Sequence, residues 1–201
     1  YDSMGLPAVS PVQPRQGIRW YAFSNAHSWV PEFRDMNATA QGTDTEFKPA
    51  EHSSGDNSGI LYEGYISVPA SGEYTFSLTT DDGGNLFIHD AHVIDDDYNH
   101  DGSEVSGAVI LAEGYHPFRL YYNHGTASHS LSLKWAGPGI AKQEIPAASL
   151  YYGDAMSDIT LSRPVASPPR AFHLGLSVSD ASGSHMAIQY HVAHDGIVKL
   201  D

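Results

Sequence analysis

Short runs of alternating apolar and polar residues, turn residues between those runs, and no amphipathic segment of helical length together predict an all-β fold, an antiparallel β-sandwich. With 12 Tyr, 19 Gly and 12 Pro in 201 residues, the composition suits strands joined by tight turns. Residues 1–17 hold Pro7, Pro11 and Pro14 without a sustained period, and read as an extended N-terminal segment. The sandwich is expected over 18–152. Ile18 to Phe23 forms its first strand, and Trp29, Pro31 and Phe33 follow in a packed loop. Next come Ile60 to Val68, the turn Pro69-Ala70-Ser71-Gly72, Tyr74 to Thr80, Leu86 to Ile88, Val93-Ile94, and Val109 to Leu111. His116 to Tyr122 and Leu131 to Trp135 close the series.

Beyond Tyr152 the composition changes. Pro164, Pro168 and Pro169 mark a Pro/Ser-rich linker over 153–172, and the segment 173–201 regains strand character. Ala187 to Val192 and Ile197 to Leu200, around Ala193-His194-Asp195-Gly196, read as a C-terminal β-hairpin. A lone hairpin is marginal, so this one is expected to pair with something else or to begin a longer stretch of chain.

Charge and composition exclude several functions. A formal charge of −14 opposes binding to nucleic acid or anionic lipid, leaving divalent cations and neutral glycans as partners. The absence of Cys removes disulfides, catalytic thiols and thiolate metal sites. No apolar run approaches the roughly 18–20 residues of a membrane span. His-Glu-x-x-His, Gly-x-Ser-x-Gly and phosphate-cradling glycine loops are all missing, so no enzymatic activity is expected.

The most informative stretch is Asp81-Asp82-Gly83-Gly84, between the strands Glu73 to Thr79 and Asn85 to Ile88. Adjacent side chains on an extended strand point to opposite faces, so two neighbouring Asp residues share a ligand only if the backbone departs from that geometry, as a cis bond would allow. Crowded carboxylates then call for a cation, and Ca²⁺ is the hard, oxygen-seeking choice; the plainer reading is a solvated hairpin tip.

The stretch from about Ile18 to Tyr152 resembles the PA-14 family, the β-sandwich module named after anthrax protective antigen. The resemblance rests on Tyr62-Glu63-Gly64-Tyr65-Ile66-Ser67-Val68-Pro69, Ser71-Gly72-Glu73-Tyr74-Thr75-Phe76, and Thr80-Asp81-Asp82-Gly83-Gly84-Asn85-Leu86-Phe87-Ile88. Ile110-Leu111-Ala112-Glu113-Gly114-Tyr115-His116 and Leu131-Ser132-Leu133-Lys134-Trp135 continue it. In lectin-like members, the resemblance implies, a cis-bonded Asp pair, a loop Asn and backbone carbonyls hold Ca²⁺, and sugar hydroxyls complete the shell. Transferred here, that assigns Asp81, Asp82 and Asn123 to the metal, with carbonyls of Gly125 and Ala127, and places Asp81, Asp82, Asn123 and His124 against the sugar. The loop Gly125-Thr126-Ala127-Ser128 is short and has no Trp beside it. More weakly, the tail from Ala187 to Asp201 resembles the opening of a type IX secretion sorting domain, which implies export to a bacterial surface.

A second calcium loop is expected at Asp97, Asn99 and Asp101, where alternate oxygen ligands precede Gly102 and where Glu104 or Asp95 supplies a further carboxylate. The 12 His residues read as scattered surface groups, since three-residue spacings such as His89/His92 put rings on opposite faces of a strand. The functional expectation is a secreted or surface-displayed, calcium-dependent carbohydrate-binding adhesion module. The alternatives are a fibre or surface-layer subunit that self-associates through its C-terminal strands, and an accessory glycan-binding domain of a larger hydrolase.

Overall fold

The computed structural model describes residues 5–53, 55–97, 102–126 and 129–153, together with the backbone of 174–179 and 185–190. The chain divides into two compact units, 1–156 and 157–201. In the first, twelve strands among the described residues form two antiparallel sheets. The larger sheet holds β1 (Arg15–Gln16), β2 (Ile18–Ser24), β3 (Ala40–Asp44), β4 (Ser58–Val68), β6 (Gly83–Ile88), β7 (Ala91–Asp96), β9 (Gly114–His124) and β12 (Leu150–Tyr152). The smaller holds β5 (Gly72–Thr80), β8 (Val105–Leu111), β10 (Leu131–Gly137) and β11 (Ile140–Glu144), in the order β11-β10-β5-β8. Among the described residues, one α-helical turn, α1 (Pro49–His52), and two 3₁₀ turns, Phe33–Asp35 and Ala147–Ser149, interrupt the strands.

The all-β sandwich expected from the sequence is the fold observed. Alternation along the long strands explains it: Ile60, Tyr62, Ile66 and Val68 of β4 and Phe118, Leu120 and Tyr122 of β9 meet Tyr74, Phe76, Leu78, Leu133 and Trp135 of the other sheet in one buried core. Three tyrosines are wholly buried, and each sends its hydroxyl to a partner: Tyr74 donates to the Ala70 carbonyl (2.8 Å), Tyr122 donates to Asp81 (2.5 Å), and Tyr62 bonds His52 (3.3 Å).

The N-terminal segment is extended and fastened to the sandwich. Leu6 bridges to Leu111, Val9 to Tyr115, and β1 pairs with β12. Between β2 and β3, the chain folds over the outer face of the larger sheet and builds a second cluster of Phe23, Val30, Phe33, Leu61 and Tyr121. Gly59 permits this, because a Cβ there would stand 2.0 Å from Cζ of Phe33.

In the second unit, β13 (Leu174–Ser179) pairs with β14 (His185–Tyr190), with Leu174 opposite Tyr190. Among the described residues, 185–190 thus pairs with 174–179; the expected partner strand Ile197 to Leu200 lies outside the described residues.

Candidate ligand-binding rim

Asp81 and Asp82 follow the last residue of β5 and lie in a bend before β6, at one end of the sandwich. The described chain contains no cis peptide bond, so the cis geometry expected for this pair is absent. Because the pair sits in a bend, strand alternation does not separate the two side chains, and both carboxylates approach β9.

Asp81 is the better anchored. One oxygen accepts from the Tyr122 hydroxyl (2.5 Å) and the Ser130 amide (3.1 Å), and the other faces His124 Nδ1 at 2.6 Å. Since a carboxylate only accepts, His124 carries its proton on Nδ1. Asp82 accepts from the Gly125 amide (2.6 Å), and its nearer oxygen lies 3.9 Å from the same His124 nitrogen. The ligand atoms of Asp81, Asp82 and His124 all lie within 4.8 Å of one another. Burial pushes the Asp81 carboxyl upward, but hydrogen bonds from Tyr122, His124 and Ser130 outweigh it and hold the group below the usual carboxylate range. Burial, reinforced by donation to Asp81, pushes the Tyr122 phenol far up.

His124 is secluded: its side chain is 0% exposed, it stacks on His129 with centroids 3.6 Å apart, and Nε2 of both rings is buried without a partner among the described residues. A groove of about 380 Å³, lined by Lys48, Pro49, Glu51, His129, Ser130 and Leu131, opens beside it.

Asn123 does not join this cluster, contrary to expectation. On β9, Tyr122 and His124 face inward while Tyr121 and Asn123 face outward, as strand alternation requires. Its amide oxygen accepts from Asn25 Nδ2 (2.6 Å), and its own Nδ2 donates to the His27 carbonyl (3.2 Å). Gly125 meets Asp82 through its N–H, and its carbonyl accepts from the Asn57 amide (2.8 Å). Ala127 lies outside the described residues.

Of the second expected loop, Asp97 is described, whereas Asn99 and Asp101 are not. Asp97 accepts from the Val30 amide (2.6 Å) and so ties the β2–β3 loop to this end of the sandwich. Glu104 pairs with Lys142, Asp95 is exposed on β7, and Gly102 has a φ of 79°.

The histidines also depart from expectation: His52, His116 and His124 are buried. His89 and His92 do part company, but His89 finds His116 on β9 instead (2.9 Å), and His116 Nε2 donates to the Ala112 carbonyl (2.7 Å). Nothing in local spacing signals that pairing, because the two rings are 27 residues apart.

The family model for the PA14 domain matches residues 14–149. The chain belongs to the PA14 family. The anti-sigma-I factor RsgI3 of Acetivibrio thermocellus is 31% identical over 101 residues, which cover 49% of this chain and 16% of that protein. Among solved structures, an anti-sigma factor domain-containing protein superposes with a TM-score of 0.59 at 22% identity, over 81% of this chain and 54% of that one. A structure described as the PA14 sugar-binding domain from an RTX adhesin superposes with a TM-score of 0.57 at 14% identity, over 69% of this chain and 99% of that domain. This chain thus spans about a sixth of RsgI3 and about half of the first structure. Identities this low in the solved structures establish a shared fold.

Proposed function

We propose that this PA14 domain is a non-catalytic carbohydrate-binding module that works outside the cell, with its site at the Asp81-Asp82 end of the sandwich. The observation that carries the reading is the convergence of Asp81, Asp82 and His124 at a strand-end rim, in a family whose RTX-adhesin member is described as sugar-binding. A net charge of −14 and the local carboxylates favour a neutral glycan whose hydroxyls donate.

A divalent cation belongs to this proposal. Two carboxylates whose ligand atoms lie within 4.8 Å fit one, with Asp81 and Asp82 as the residues that would hold Ca²⁺. When bound, calcium would supply an electropositive centre for sugar hydroxyls. The fit is partial, because the third group is an imidazole nitrogen and the Asn123 oxygen is engaged elsewhere. Fewer oxygen ligands mean weak binding, of the order of the 10⁻⁴–10⁻³ M typical of extracellular calcium modules.

The test is retention on a glycan array in millimolar calcium and in chelator, for the wild type and Asp82→Asn. That substitution removes the charge yet keeps an oxygen to accept from Gly125. Loss of retention in Asp82→Asn with an unchanged melting temperature supports the site; equal retention of both proteins refutes it.

A further inference from the structure

The loop between β2 and β3 brings an exposed indole to the end of the sandwich where Asp82 lies. Trp29 is 44% exposed, whereas Trp20 is half-buried and Trp135 is buried in the core. Leaving a large aromatic surface in water forgoes the stabilisation that burial would give, so an exposed Trp that is also held in place calls for an explanation.

Trp29 is held in place from several sides. Its ring stacks on His27, with centroids 4.4 Å apart and planes 26° from parallel. Behind it, buried Asn25 and Asn123 form a polar clamp. Asn25 Nδ2 donates to Asn123 Oδ1 (2.6 Å) and to the Trp29 carbonyl (3.4 Å); Asn25 Oδ1 accepts from the His27 amide (3.1 Å); and Asn123 Nδ2 donates to the His27 carbonyl (3.2 Å). The next residue, Val30, is tied to Asp97 and lies 3.5 Å from the position a Cβ would take on Gly83, the residue that follows Asp82. His27, Asn25, Asn123, Val30, Asp97 and Gly83 thus agree in placing one indole beside the acidic turn.

We propose that Trp29, backed by His27, is the platform on which a neutral pyranose stacks while its hydroxyls reach Asp82. The inference rests on the glycan-binding reading above and names the ligand class and the residue that selects it. An indole face carries partial negative charge and so attracts the polarised C–H groups on one face of a pyranose ring. Even where a cation neutralises Asp81 and Asp82, the net charge of −14 and the nearby Asp97 disfavour a uronate against a neutral ring. Asn123, expected as a ligand, acts instead as a positioning residue for the platform.

The experiment uses the full chain with calcium present. Wild type, Trp29→Ala, Trp29→Tyr and Asp82→Asn are applied to immobilised galactose-, glucose-, mannose- and uronate-terminated glycans, and affinities for the retained sugars are then measured by calorimetry. Trp29→Ala is expected to bind about tenfold more weakly, the scale of one lost aromatic contact, while Trp29→Tyr stays close to wild type. All variants should melt like the wild type. Saturating sugar should shift tryptophan emission to shorter wavelength, and Trp29→Tyr should abolish that shift. If Trp29→Ala binds like wild type while Asp82→Asn does not, the platform is refuted and the glycan reading survives. Preferential retention of uronates also overturns the platform, and a wild type that retains no glycan overturns both.

Discussion

Asp81 and Asp82 are adjacent in sequence, yet replacing them with Ala should have very different consequences for stability. Asp81 accepts from Tyr122, Ser130 and His124, and two of those donors, the Tyr122 hydroxyl and the His124 Nδ1–H, belong to fully buried side chains. Removing the carboxylate strands both. An unsatisfied buried donor costs about 1–3 kcal/mol, so Asp81→Ala should destabilise by roughly 3–5 kcal/mol, allowing for non-additivity. Asp82 loses only its bond from the Gly125 amide, at the edge of the rim, and Asp82→Ala should cost about 1 kcal/mol. Urea unfolding measures both, with an unchanged slope confirming that the unfolded state is not the cause. A cycle pairing Asp81→Ala with Tyr122→Phe should show coupling of about 1 kcal/mol or more, since the two groups share one hydrogen bond. If Asp81→Ala and Asp82→Ala prove equally mild, the carboxylate of Asp81 does not anchor the turn. This asymmetry also makes Asp82, and not Asp81, the residue to change when ligand binding is tested.

Three other outcomes are expected. Asn123→Ala should lower stability by about 1–3 kcal/mol by removing the short 2.6 Å bond from Asn25 Nδ2 and leaving that group only its contacts at 3.4–3.5 Å, while calcium affinity, measured by calorimetry, stays unchanged; a selective loss of calcium binding would contradict the geometry. His52, His89, His116 and His129 have pKa values lowered mainly by burial, so the unfolded chain binds protons first; stability should be full above about pH 6.5 and fall as pH drops below it, and a melting temperature flat from pH 7.5 to 5 would refute this. Gly59→Ala should destabilise by about 1–3 kcal/mol as the new methyl meets Phe33, which thermal unfolding reads directly.

Strand periodicity made most of the sandwich legible, because apolar residues at every second position of β4, β5, β9 and β10 fall in the core, even though the outer faces of β4 and β9 are also largely buried, with Leu61 and Tyr121 in the second cluster. The same rule, applied to Asn123, argues against the role that resemblance assigned to it. Tyr122 points to the core, so its neighbour on β9 points outward, and the inward position at the acidic turn falls to His124. Position in a motif outweighed alternation because the sequence does not mark where β9 ends. A strand that stopped at Tyr122 would have freed Asn123 to turn toward Asp81, but β9 runs through His124, opposite Ser58. Trp29 was hidden for a different reason. It lies 53 positions before Asp82 in a loop without period, and contacts such as those of Asn25, Val30 and Phe33 bring that loop to the rim. Those contacts are long-range side-chain hydrogen bonds and ring packing on a glycine, which leave no local pattern to read. The scaffold of this rim is therefore written in local alternation, whereas the groups that would meet a ligand are brought together by contacts between segments far apart in the chain.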